Sequence, residues 1–419
     1  MPFRKASLGL AGLAVVALLA GIATGHPEWW QPAAVAAALA FAFGLGAVPA
    51  LKGYQYTAWI IAAVVAALMY PATFLHVGDF DLRNKWLVLV VVQLVMFGMG
   101  TQMSLHDFAG VAAAPRGVLV GILCHFSVMP LVGFGLTKIF HFEPEIAAGI
   151  ILIGSCSSGL ASNVMAYIAK SNLALSVTVT AITTMVAPLA TPLLMKLLAG
   201  TLVEVKFLTM MVEIVKIVLV PIGAALLHDS LKHATPAVYR RWIVAQILCG
   251  LGALILLFNH DSGVAVELLG FALGAVAFGV TYHQLTRALP KLDGFMPVVS
   301  MAGIVYFTTV TTAAGRDNLL KVGALLFLAS AIHNALGYFF GYWLSRGAGL
   351  DRNSARSVAF EVGLQNGGMA SGLAGAMGKL ATVGLAAAIF SPWMNVSGSI
   401  LANYWGRRPV QGGPEPKRD

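Results

Sequence analysis

The chain has 419 residues, 58% hydrophobic and only 10% charged, with a mean hydropathy of +0.83 and a formal net charge of +9. That balance excludes an ordinary soluble globular domain and indicates a polytopic membrane protein. The 26 basic residues are scattered through short loops, a topology signal and not a nucleic-acid-binding patch.

In chain order, residues 4–24 have a basic start and an apolar run, read as a first helix with a cleaved signal peptide as the alternative. Apolar runs separated by Gly, Pro and charge predict spans over 7–24, 33–50, 56–73, 86–103, 113–139, 145–169 and 172–199. A second set follows over 206–227, 240–258, 263–284, 293–313, 317–345, 354–378 and 380–404. Matching members of the two sets are about 200 residues apart. An odd number of spans per set forces the second copy into the membrane from the opposite side, which gives an inverted repeat. Two unrelated halves of similar hydropathy are the alternative. With the N-terminus inside, 17 basic residues fall in cytoplasmic segments and eight outside, so both termini are expected in the cytoplasm of an inner-membrane protein. The tail, 409–419, is charged and rich in Pro and Gly and reads as disordered.

Polar residues inside these spans carry the chemistry. Glu361-Val362-Gly363-Leu364-Gln365-Asn366 places a carboxylate and two amides in an apolar helix, and an intramembrane carboxylate is costly unless it has a function. The run Ser155-Cys156-Ser157-Ser158-Gly159-Leu160-Ala161-Ser162-Asn163 makes the matching interruption in the first half. Paired Gly-containing breaks point to the binding site of a secondary transporter: half-helix ends offer carbonyls to a cation and dipole-positive termini to an anion. Sodium is a hard cation that wants oxygen ligands. Ser162, Asn163 and Glu361 offer them at the breaks. Ser176 and Thr180 share one face of the next helix, and Gln365 lies one turn after Glu361. Back-bonding of the two hydroxyls to helix carbonyls is the competing reading.

Other polar residues have plainer explanations. Glu213 and Lys216 are spaced to pair on one helix, Glu267 is expected to face an internal cavity or an interface, and His333 and Asn334 to cross-link helices. Cys124, Cys156 and Cys249 lie in apolar runs as structural thiols. No Walker A, HExxH, GxSxG or metal-spaced Cys/His set is present, so no enzyme is expected.

The runs GSCSSGLASNVMAYIAKSNLALSVTVT (154–180) and EVGLQNGGMASGLA (361–374) closely resemble the bile acid:sodium symporter family. MFGMG (96–100), IHNALGY (332–338) and NVSGSILANYW (395–405) look like further family segments in the expected order. The resemblance implies sodium-coupled import of an organic anion through a panel domain and a core domain in which two broken helices cross. It implies one sodium site at Ser162, Asn163, Ser176, Thr180 and Glu361, and a second at Glu361, the carbonyls of Val362 and Leu364, and Gln365. On this chain the pattern becomes an all-α protein of about 14 spans in two inverted repeats of seven. An extra N-terminal helix pair occupies 1–54, panel helices 55–110 and core helices 111–200. The second panel, 201–313, contains another extra pair at 240–284, and core helices follow at 314–408.

Three departures stand out. His125 occupies the place of a family Gln that completes the second ion site. Either that site is altered, or a proton replaces part of the sodium coupling, or the histidine is simply packed against a helix carbonyl. Leu160 and Met394 are apolar where substrate contacts are expected, leaving Asn366 and Asn395 as polar candidates. The four extra helices are expected to enlarge the panel or to form an oligomer contact. The expected partners are therefore sodium, a small organic anion of the carboxylate class, and the lipid bilayer. A proton-coupled carrier or antiporter using Glu361 and His125 is the alternative.

Overall fold

A computed structural model describes residues 2–48, 51, 54–258, 263–408 and 410. The chain is helical almost throughout: α1 (Pro2–Thr24), α2 (Pro27–Gly44), α3 (Gln55–Met69), α4 (Lys85–Gly100), α5 (Leu105–Ala113), α6 (Pro115–Phe140), α7 (Pro144–Ser155), α8 (Ala161–Ile168) and α9 (Leu173–Ala199). Then come α10 (Phe207–Ile214), α11 (Val220–Lys232), α12 (Pro236–Leu257), α13 (Val264–Ala288), α14 (Lys291–Ala314), α15 (Arg316–Gly347), α16 (Arg352–Gly363), α17 (Gly367–Ala376) and α18 (Val383–Gly406). A small antiparallel hairpin, His76–Val77 with Phe80–Asp81, joins α3 to α4, and Arg83 holds Asp81 at 2.9 Å there.

Ten helices among the described residues are long and apolar enough to cross a membrane, or eleven if the bent pair α4–α5 is counted as one span. By that measure α3, at 15 residues, is too short, and α7–α8 and α16–α17 are too interrupted. The helix expected over 206–227 is found as one long span, Phe207–Lys232, in which α10 and α11 run on through a π-helical turn, Val215–Leu219, that carries Lys216. The expected tail, 409–419, lies outside the described residues apart from residue 410.

The two interrupted helices sit in the middle of the bundle. Residues Ile146–Ser155 of α7 are all buried, and α16 is buried from Val358 to Gly363 although it begins Arg-Asn-Ser-Ala-Arg-Ser. Their neighbours are α6, α9, α15 and α18. Close approach needs small residues. A Cβ on Gly337 of α15 would lie 3.0 Å from the Gly363 Cα, so α15 rides directly on the end of α16. By contrast, α12 buries little beyond Ala253 and pairs with α13 at the periphery.

Candidate functional site: two helix breaks that cross

The first break, 156–160, separates α7 from α8, and the second, 364–366, separates α16 from α17. They meet as a single antiparallel bridge between Ser158 and Gln365. Gly159 N donates to Leu364 O at 3.0 Å and Asn366 N to Ser157 O at 2.9 Å. A Cβ on Gly159 would stand 2.7 Å from Gln365 O, so the crossing has room only for glycine.

Backbone groups freed by a break in a membrane helix must find partners inside the protein. Thr191 Oγ1 donates to Ser155 O at 2.7 Å, Gln365 Nε2 to Val362 O at 2.7 Å and Asn334 Nδ2 to Gly363 O at 2.8 Å. Leu364 O accepts from Ser158 Oγ as well as from Gly159 N. On the other side of the crossing, Asn366 caps α17 by accepting from Met369 N at 2.9 Å.

His125 of α6 reaches both breaks. Its Nδ1 lies 2.9 Å from Glu361 O and its Nε2 2.8 Å from Cys156 O, with the side chain fully buried. Both neighbours are acceptors, and a neutral imidazole has one N–H; only the doubly protonated ring donates to both.

Beside the crossing, five predicted residues converge. Glu361 is fully buried; Ser176 Oγ donates to its Oε1 at 2.5 Å and Thr180 Oγ1 to its Oε2 at 2.8 Å. The same two hydroxyls lie 3.0 and 3.2 Å from Asn163 Oδ1, and Ser162 Oγ lies 3.3 Å from Thr180 Oγ1. Each hydroxyl carries one proton, so the acceptors outnumber the protons. A buried cage of surplus oxygen lone pairs suits a hard cation. No cluster of three or more His, Cys, Asp or Glu able to hold a metal occurs among the described residues. Gln365 Oε1 is a further buried oxygen without a partner.

The remaining predicted residues divide. Val362 and Leu364 lie at the crossing with their carbonyls bonded as described. Asn366 is committed to its cap and to Ser157 Oγ at 3.4 Å. Asn395 Nδ2 turns back to Ser391 O at 2.8 Å, the self-bonding expected of a helical amide. Leu160 is half-buried and Met394 buried, both packed in the main apolar core.

Some contributors escaped sequence reasoning. Ser158 Oγ joins Ser162 Oγ at 3.3 Å, and the Ser-rich break itself was the available signal. Ser397 Oγ donates to Asn334 Oδ1 at 2.5 Å and Tyr338 OH lies 3.2 Å from Ser397 Oγ, so a chain of hydrogen bonds backs Gly363 O. Glu267 does not simply face a cavity: it pairs with Lys216 at 2.9 Å, and Lys216 also holds Glu213 at 2.7 Å. A partner 51 residues away has no sequence signal.

Comparison with known proteins places the chain in a family. The model of the sodium bile acid symporter family matches residues 89–260. The uncharacterized sodium-dependent transporter YocS of Bacillus subtilis is 32% identical over 357 residues, covering 85% of this chain and 92% of its own. An Arabidopsis thaliana protein named "Probable sodium/metabolite cotransporter BASS1, chloroplastic" is 30% identical over 83% of this chain and 72% of its own. The human ileal sodium/bile acid cotransporter is 27% identical over 66% of this chain and 65% of its own. The chain belongs to the sodium bile acid symporter family, a family of sodium-dependent membrane transporters and not of enzymes.

Proposed function

We propose that the protein is a sodium-coupled symporter that imports an organic anion, a carboxylate in class, by alternating access. The observation that carries this reading is the cage at Glu361, where one carboxylate, one amide oxygen and three hydroxyls lie within hydrogen-bond reach with more acceptors than protons. Sodium would be held by Ser162, Asn163, Ser176, Thr180 and Glu361. Gln365, with its unpartnered Oε1, and the carbonyls of Val362 and Leu364 would serve a second position beside His125.

The architecture that goes with it is 14 spans in two inverted repeats of seven, reached by adding α3, α4, α7–α8 and α16–α17 to the ten long helices. The core would comprise 111–200 and 314–408 and the panel 55–110 and 201–313, with both termini in the cytoplasm. Substrate would meet the crossing near Asn366, Asn395, Leu160 and Met394.

Thermal stability of the purified protein in sodium and in potassium tests the reading. A ligand that binds only the folded state adds about 2.7 kcal/mol at a hundred times its dissociation constant. A sodium-specific rise that Glu361→Gln abolishes is expected, and a rise of equal size in the variant would remove sodium from this site.

A second reading has its own observation. His125 faces two carbonyl acceptors, an arrangement that only an imidazolium satisfies fully. Uptake that follows pH and ignores sodium would identify a proton-coupled carrier using Glu361 and His125.

A further inference from the structure

Away from the crossing, a second polar cluster gathers where α11 ends and α12, α13 and α14 meet. A cavity of about 640 Å³ lies there and opens to the surface past the exposed Lys232, Pro236, Arg287 and Pro290. Asp293, in the first turn of α14, is already well matched: Lys232 Nζ lies 3.0 Å away, His228 Nε2 3.1 Å, and Tyr282 OH donates to it at 3.0 Å.

Arg287 of α13 differs. Its guanidinium sits 5.3 Å over the Tyr239 ring of α12 and has no carboxylate partner among the described residues. His283, one turn earlier on α13, is buried, lines the same cavity and has an Nδ1 without a hydrogen-bond partner. Pro236 starts α12 and Pro290 immediately precedes α14, so two helix N-termini abut the cavity with their positive dipole ends.

The geometry points to a binding site for a phosphate-bearing anion, with Arg287 as its principal ligand. Once Lys232 is matched to Asp293, the uncommitted charge is positive. A guanidinium presents the planar fork that fits a phosphate, and stacking on Tyr239 holds that fork in place. Basic pockets between membrane helices at the lipid–water boundary take acidic headgroups. A soluble phosphate would present the same chemistry. The site is independent of the ion cage at Glu361, and it gives the α12–α13 pair a task other than enlarging the panel.

The test follows the thermal midpoint of the full-length protein in neutral detergent during titration with short-chain phosphatidylglycerol, with phosphatidylcholine, and with inorganic phosphate. Phosphatidylglycerol is expected to raise the midpoint and phosphatidylcholine to leave it unchanged. Arg287→Gln is expected to weaken the effect at least tenfold, and Arg287→Lys to keep part of it. A response to inorganic phosphate that depends on Arg287, without a response to lipid, assigns the site to a soluble ligand. Tyr239→Leu removes the ring under the guanidinium without changing charge and is expected to weaken binding severalfold; it decides the matter if Arg287→Gln does not fold. No response to either anion, or equal affinity in the wild type and whichever variant folds, overturns the proposal.

Discussion

Thr180 and Glu361 are 181 residues apart in the chain, yet Thr180 Oγ1 donates to Glu361 Oε2 at 2.8 Å. The hydroxyl that bonds the carboxylate also lies 3.2 Å from Asn163 Oδ1 and 3.3 Å from Ser162 Oγ. One side chain thus ties the N-terminal turns of α9 to both interrupted helices.

Thr180→Val keeps the shape of that side chain and removes its oxygen. A hydrogen bond to a charged group contributes about 1.5–3 kcal/mol. The sodium concentration for half-maximal thermal stabilisation is expected to rise by roughly ten- to a hundredfold. An unchanged midpoint concentration would take Thr180 out of the ion site.

Glu361→Ala is expected to abolish sodium-dependent uptake into proteoliposomes while helical circular dichroism is retained. Uptake with wild-type sodium dependence would contradict the assignment of the coupling charge to this residue.

Asn334→Leu strips Gly363 O of its side-chain donor in a fully buried place. An orphaned buried carbonyl costs about 1–3 kcal/mol. The variant should unfold at a lower temperature, and its loss should be the same in sodium and in potassium, which separates support of the break from ion binding.

His125→Gln exchanges an imidazole between two carbonyls for an amide that can donate through nitrogen and accept a cation through oxygen. The Hill coefficient for sodium in uptake is expected to rise. An unchanged coefficient with lost uptake would mark His125 as a structural clasp between α6 and the two breaks.

At the α3–α4 hairpin, outside the bundle, the Arg83 side chain and backbone N–H hold the Asp81 carboxyl down at about 2. A depressed carboxyl stabilises the folded state above its unfolded value of about 3.9 and loses that contribution as pH falls through the folded value. Asp81→Asn should therefore lower the thermal midpoint slightly at pH 7, because the pair is exposed, and the difference should vanish by about pH 2.

What the sequence made legible follows from cost. A carboxylate such as Glu361 is conspicuous in an apolar run, and the i, i+4 hydroxyls of Ser176 and Thr180 announce a shared face, so the cage could be named before any coordinates. Its supports were less legible. Asn334 is expected only to cross-link helices, Ser397 and Thr191 look like ordinary helix polar residues, and the crossing alone shows that Asn334 serves Gly363 O, that Ser397 backs Asn334 and that Thr191 serves Ser155 O. Lys216 and Glu267 illustrate the same limit: local spacing gave the Glu213 pair, while the partner on α13 depends on how helices pack. The π-helical turn at Val215–Leu219 left no trace in the hydropathy at all.

The bridge between Ser158 and Gln365 makes a rivet of the two breaks. Reciprocal bonds, Gly159 N to Leu364 O and Asn366 N to Ser157 O, resist any sliding of one interrupted helix along the other. A rivet still permits the pair to tilt together. Whatever displaces one of these helices therefore displaces its mate, and the residues around Glu361 travel with the joint as a single piece.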